Sequence, residues 1–328
     1  MKLGIIGFGY TGQQHARAAM GIPRVSLGAV ADTDPQGGSQ VAVPFYADYH
    51  QVLDDPTIDA VSICLPHFLH EKVGTEALRA KKHVLMEKPL AMTVESGEQL
   101  CQLARSQSCI LMVEMTHRFM PPVMQARQRV LAGDVGEVMA VTDVLVEGLG
   151  VFGSLPDWMF SKSLAGGGVG LTSGIHLLDH VAWITGQSLS LESASLRCSP
   201  TLGDIENVAS FSLHLSQGAP VQVLLCWRPG NGDLAGELSV FGSKGTLTVQ
   251  VWGGWKLTNE RGLQEKICFD ERLTVAQRAC EGMKLALTEF VEAVHEQRDP
   301  VPRAQETLVS QRLIEQAYRY AGNRNSSR

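Results

Sequence analysis

At 328 residues, 44% of them hydrophobic and 19% charged, the chain is long enough for two domains with a core each and has the make-up of a globular protein. Its formal net charge of −6 provides no basic field for nucleic acid or an anionic membrane, and no apolar run reaches membrane-spanning length. The seven cysteines are odd in number, widely spaced and without a CxxC pair, which points to buried free thiols rather than disulfides or zinc; with no signal-like start, the expected location is the cytoplasm.

Lys2 to Ile6 is an apolar run that passes into Gly7-Phe8-Gly9-Tyr10-Thr11-Gly12 and then into a helix-forming segment ending at Met20. Strand, glycine turn and helix in this order suit a dinucleotide: Gly7 permits the tight turn, Gly9 the approach of a pyrophosphate, and Gly12 close packing of helix on strand. Glycine turns are common between any strand and helix, so context decides. A second apolar run, Val25 to Ala31, ends in Asp32, about 20 positions beyond the last glycine, where a carboxylate grips the ribose hydroxyls. The following Thr33-Asp34-Pro35 adds a second acid and no base, which favours NAD over NADP.

Further strands are expected at Ala60 to Leu65, His83 to Met86 and Cys109 to Met115, separated by helices from Phe68 to Ala80 and Thr93 to Arg105. This alternation predicts a parallel, doubly wound sheet, with ligands beyond the carboxyl ends of its strands. There lie Leu65, Pro66 and His67 with His70 just beyond, then Glu87, Lys88 and Pro89, then His117 and Arg118. A strand-end lysine is most often merely solvated, but one beside an oxidised nicotinamide would lose proton affinity and suit proton relay.

From Pro121 the pattern changes. A helix from Val123 to Leu131 stops at Gly133 to Gly136, and a strand follows from Val138 to Val146. Beyond residue 190, Ala209, Phe211, Leu213 and Leu215 alternate with polar residues, and Leu247, Val249 and Val251 do likewise. One-faced strands of this kind predict an open, mostly antiparallel sheet, with a hairpin at Gly242 to Gly245 and two closing helices. The expected division is a nucleotide-binding domain over 1–120 and a substrate-binding and oligomerisation domain over 121–328, with a frayed end from Asn323.

Within the second part, Gly166-Gly167-Gly168 precedes a helical stretch on which Thr172, His176, Asp179, His180 and Trp183 share one face. His176 is the candidate acid–base group, because imidazole titrates near neutrality and the same face supplies neighbours to orient it; a core histidine bonded to a carbonyl is the competing reading. His176 and His180 with Asp179 could share an ion, yet the glutamate of HExxH and an obvious third ligand are missing, so no metal is expected. Trp158, ahead of the glycines, either walls the pocket or packs at a domain junction.

Taken together, GFGYTGQQHA at 7–16, Asp32, Leu65-Pro66-His67 with His70, Glu87-Lys88-Pro89, Arg118 with Pro121, Gly133 to Gly136, and Gly166 to Gly168 followed by Gly174-Ile175-His176 and Asp179 resemble the Gfo/Idh/MocA oxidoreductases along essentially the whole chain. The resemblance implies a Rossmann domain, a second α/β domain with an open sheet that often builds dimers or tetramers, a nicotinamide cofactor, and a sugar or cyclitol substrate. It implies that Lys88 and His176 are catalytic and that Asp179 binds substrate hydroxyls; Arg118, Thr172 and, as a pocket wall, Trp158 are the further candidates on the substrate side. Members similar to inositol dehydrogenase carry an aspartate four residues before the histidine, where this chain has Thr172, whose hydroxyl cannot match a charge. The leading expectation is an NAD(P)-dependent dehydrogenase or reductase acting on a secondary alcohol. Two alternatives keep the nucleotide: glycoside hydrolysis through transient oxidation, and a catalytically silent sensor.

Overall fold

The computed structural model describes residues 1–151, 155–199, 202–230 and 234–325. Two compact units are present: Met1–Thr116 with Cys280–Leu308, and His117–Ala279 with Val309–Arg328. The chain leaves the first unit at residue 116 and returns to it for Cys280–Leu308, a stretch the sequence alone assigned wholly to the second domain. Local pattern marks helices, but which sheet a helix covers depends on contacts distant in sequence.

In the first unit, β1 (Lys2–Ile6), α1 (Tyr10–Met20), β2 (Ser26–Ala31), β3 (Phe45–Tyr46), α2 (His50–Leu53), β4 (Ala60–Ile63), α3 (His67–Arg79), β5 (His83–Glu87), α4 (Val94–Gln107) and β6 (Leu111–Glu114) follow in order. The six strands form a parallel sheet in the order β3-β2-β1-β4-β5-β6. Leu3, Ile5, Val61, Ile63, Val84, Leu85 and Met86 are wholly buried, as strands covered on both faces require. Strand order reverses at β1 and β4, and the carboxyl ends of those two strands open the crevice where such sheets take their ligands. A groove of about 930 Å³, lined by Arg24, Asp59, His83 and His295 among others, lies instead at the opposite, amino ends of the strands.

The second unit begins with α5 (Pro121–Leu131) and β7 (Val138–Gly148), continues through three helices, α6 (Lys162–Ala165), α7 (Val169–Thr172) and α8 (Gly174–Thr185), and then runs through seven strands. These are β8 (Leu189–Cys198), β9 (Glu206–Leu215), β10 (Pro220–Arg228), β11 (Leu234–Gly242), β12 (Gly245–Val249), β13 (Gly254–Asn259) and β14 (Gly262–Ile267). The sheet order is β14-β13-β12-β11-β7-β10-β9-β8; β10 runs parallel to β7 and every other pair is antiparallel. Ala209, Phe211, Leu213 and Leu215 are at most 2% exposed, so their alternation with Ser210, Ser212 and His214 does separate a buried face from an outer one. Helices α9 (Val275–Glu296) and α10 (Ala304–Asn325) end the described chain, and residues 326–328 of the expected frayed end lie outside it.

All seven cysteines are free. Cys101 is fully buried, Cys198 is exposed, and the other five are half-buried, so the expectation of buried thiols holds only in part. No described helix is long and apolar enough to cross a membrane.

Candidate functional site

The glycine turn has the geometry its spacing foretold. Gly7 adopts φ +93°, and a Cβ there would stand 2.3 Å from the carbonyl oxygen of Cys64; a Cβ on Gly12 would stand 2.0 Å from that of Gly7. Both glycines are needed by the protein's own packing. Gly9 differs: a Cβ there would meet nothing within 4 Å, so the space above it is open. Helix α1 starts just behind, with no side-chain cap and no acid in its first turn. Its first N–H groups and dipole therefore offer an anion site, and the residues fit the pyrophosphate of a dinucleotide.

Asp32 lies beside this loop. One of its carboxylate oxygens accepts the backbone N–H of Phe8 and the other, at 2.8 Å, that of Asp34, so it braces the cradle while each oxygen keeps a further lone pair. Phe8 turns its ring inward onto Phe45 (6.4 Å between centroids), which leaves only its backbone for a ligand. Tyr10, at 38% exposed, is open to solvent, and Thr11 is half-buried.

Around the tip of β4, Leu65 and Pro66 are half-buried and His67, at the start of α3, is 5% exposed. His70 is corrected as a cofactor contact. It is 0% exposed, and its ring nitrogens lie 2.7 Å from the Pro89 carbonyl oxygen and 2.8 Å from that of Leu65. Burial lowers its proton affinity, so the neutral ring donates to one of these carbonyls and packs behind the two strand-end loops.

Beneath Lys88 lies a buried ion cluster that spacing could not reveal. His15 of α1 sets Nε2 at 2.8 Å from Glu114 of β6 and 3.5 Å from Glu87 of β5, while Nδ1 is 2.7 Å from Ser62 Oγ. Burial opposes the His15 cation, but Cys64, Glu114 and Glu87 raise its proton affinity well above the ordinary imidazole value. Burial likewise raises Glu114, and pushes the Cys64 thiol up to about 11. Glu87 is thus turned inward, away from the place a cofactor ligand would take, and its second oxygen accepts the Lys88 backbone N–H at 3.2 Å. The half-buried turn continues through a cis Lys88–Pro89 bond. Ligand atoms of His15, Glu87 and Glu114 all fall within 4.8 Å of one another, the kind of grouping that can hold a metal. The direct 2.8 Å contact reads as an ion pair, since two ligands about 2 Å from one ion stand wider apart.

In the second unit the helix expected through Thr172 and His176 is interrupted. Thr172 ends α7, Ser173 intervenes, and His176 lies in the first turn of α8. A carboxylate from β9 caps the start of α7. Glu206 Oε1 accepts the N–H groups of Gly168 and Gly170, both at 2.9 Å, and the Tyr318 hydroxyl at 2.7 Å. A Cβ on Gly168 would stand 2.0 Å from the Glu206 carbonyl oxygen and one on Gly167 2.0 Å from the Tyr318 hydroxyl. Close approach to these partners is what the glycines serve.

On α8, His176 is 9% exposed and stacks on His117, their ring centroids 4.3 Å apart and their planes at 20°. His117 Nδ1 is 3.3 Å from His180 Nδ1, and His180 Nε2 is 2.5 Å from Asp143 Oδ2 on β7. Arg118 grips Asp179 with two hydrogen bonds, from Nε at 2.6 Å and Nη2 at 2.7 Å, both side chains buried, and its guanidinium lies 4.6 Å from the Trp183 ring. Two candidates for substrate binding are therefore already engaged with each other. Thr172 is 8% exposed, and Trp158 is half-buried in a short turn, Asp157–Phe160. Asp143 escaped the sequence reading as a site residue, and His180 was weighed there only as a metal ligand: an acid in an alternating strand looks solvated until the pairing shows what it faces.

The model of an oxidoreductase family with an NAD-binding Rossmann fold matches residues 1–115, and that of the GFO/IDH/MocA C-terminal domain matches residues 123–248. Levoglucosan dehydrogenase of Pseudarthrobacter phenanthrenivorans is 26% identical over 201 residues, covering 57% of this chain and 52% of the relative. D-glucoside 3-dehydrogenase of Escherichia coli is 32% identical over 195 residues, covering 57% and 54%. The chain thus spans about half the length of these two curated relatives. An oxidoreductase from Agrobacterium radiobacter, solved with NAD+, L-tartaric acid and magnesium, superposes with a TM-score of 0.89 at 20% identity, over 98% of this chain and 96% of that one. With both family models matched in order and the cradle in place, the chain belongs to the Gfo/Idh/MocA family of NAD-binding oxidoreductases.

Proposed function

We propose that the protein moves a hydride between NAD and a secondary alcohol of a sugar, glycoside or cyclitol. The observation that carries this reading is His176: a nearly buried imidazole on a packed helix, backed by two further imidazoles and a carboxylate. A group so placed is held in one orientation and can take or return a hydroxyl proton near neutral pH. The nicotinamide, when bound, accepts or supplies the hydride. Lys88 offers its ammonium to the substrate oxygen and Thr172 a hydroxyl, while the acidic loop of Asp32 and Asp34 suits NAD better than NADP. The carbohydrate substrate class is supported by the levoglucosan and glucoside dehydrogenases among the relatives. Seven free thiols suit a reducing cytoplasm.

The test is NADH formation over a panel of aldoses, glycosides and inositols, with NADP in parallel. His176→Ala and Lys88→Ala should each lower kcat by about 10²–10⁴ with NAD affinity retained; full activity in either variant removes that residue's role. Release of free sugar from a glycoside with no net NADH would point to hydrolysis instead, and NAD binding without turnover on any substrate to a sensor.

A further inference from the structure

The stack on α8 holds more than one general base needs. Four groups run in a line: Asp143, His180, His117 and His176, which are 3%, 1%, 8% and 9% exposed. Their contacts fix the hydrogen-bond directions. An ionised carboxylate only accepts, so His180 Nε2–H donates to Asp143. Neutral His180 then presents a bare Nδ1, and the proton of the 3.3 Å contact belongs to His117. The chain of hydrogen bonds ends in a ring stacked on His176.

We propose that Asp143, acting through His180 and His117, is the positioning residue that sets the proton affinity of His176. The proposal rests on the reading of His176 as the acid–base group and supplies the charge that tunes it. With Asp143 ionised, one proton taken up by the three imidazoles brings the buried cluster from −1 to 0. Without that carboxylate the same proton brings it from 0 to +1, a charge that burial disfavours. Four residues before His176 the chain has only the hydroxyl of Thr172, so this negative charge comes from the sheet side. Burial raises the Asp143 carboxyl above its ordinary range and His180 draws it back, as expected of an acid coupled to the stack.

Of the charged groups around the stack, Asp143 is a carboxylate that hydrogen-bonds into it. Arg118 and Asp179 cancel in their bidentate pair, and Arg127 of α5 lies 3.7 Å from the Trp183 ring. Glu147 of β7 accepts from Ser173 and Trp227, both at 3.0 Å. Glu206 is engaged by the α7 amides and Tyr318.

The experiment is titration of the imidazole carbons in the full-length protein labelled with 13C-histidine, with His176→Gln used to assign that residue's signal. In Asp143→Asn the His176 midpoint should fall by about one pH unit or more, a tenfold loss of proton affinity, and Asp143→Glu should restore most of it. An unchanged midpoint in folded Asp143→Asn overturns the proposal. If that variant does not fold, His117→Gln, which cuts the chain but leaves Asp143 with His180, must produce the same fall, and an unchanged midpoint there overturns it equally. Full turnover by His176→Ala would instead sink the acid–base reading while the titration result stood, so the two failures are distinguishable.

Discussion

Gly7 and Gly9 stand two residues apart in one motif, yet they answer to different constraints. Gly7 is held by the protein: its φ of +93° and its approach to Cys64 exclude a side chain. Gly9 faces open space, so a methyl group there should disturb only a ligand. Gly9→Ala should therefore unfold within about 0.5 kcal/mol of the wild type while its NAD affinity falls tenfold or more. Gly7→Ala should lose about 1–3 kcal/mol of stability as well. Denaturant unfolding and calorimetric titration with NAD measure the two effects separately, and equal NAD affinity in Gly9→Ala would contradict the cradle. At this scale the motif was legible because its glycines follow local backbone rules. The inward turns of Phe8 and Glu87 were not, since each depends on a partner far along the chain: Phe45 in one case, His15 and Glu114 in the other.

Elements contribute a second kind of constraint. The middle of helix α1 is joined to the carboxyl ends of strands β5 and β6 by His15, whose cation links two carboxylates under the turn that carries Lys88. His15 has a folded-state proton affinity raised well above the ordinary value, so its contribution is fully present below about pH 6.5 and is lost as pH rises through the folded value. Glu114, also raised, acts in the same direction, because its folded form binds a proton more tightly than its unfolded form does. The stability gap between wild type and His15→Gln should accordingly be about 3–5 kcal/mol near pH 6 and narrow as the solution becomes alkaline. Chemical denaturation across pH reads this directly, and a gap independent of pH would show that His15 is not charged in the fold. The second unit teaches the same lesson about elements: Thr172, His176 and Asp179 do lie on helices, but Glu206 caps the start of α7 and the helix the pattern predicts is broken at Ser173.

For the molecule as a whole, the outer face of the second sheet is the feature left to explain. Val144 of β7 pairs with Leu224 of β10, and Phe241 of β11 pairs with Ala140 two pleats away on the same face; Val144, Leu224 and Phe241 are 39%, 42% and 39% exposed. These exposed apolar side chains fit the sequence expectation that the second sheet carries an oligomer contact. The protein should sediment as a dimer or tetramer, and Val144→Asp with Leu224→Asp should shift it to monomer with the fold intact; a monomeric wild type would end the idea. The alternation of strands and helices in the first unit, its parallel sheet, the one-faced second sheet and the tight turn at Gly7 were legible in the sequence itself, because each follows from residues adjacent or periodic along the chain. Which carboxylate answers which histidine, where a polar stripe breaks, and to which unit Cys280–Leu308 returns were decided only by the tertiary structure, because burial and pairing join residues that no local pattern connects.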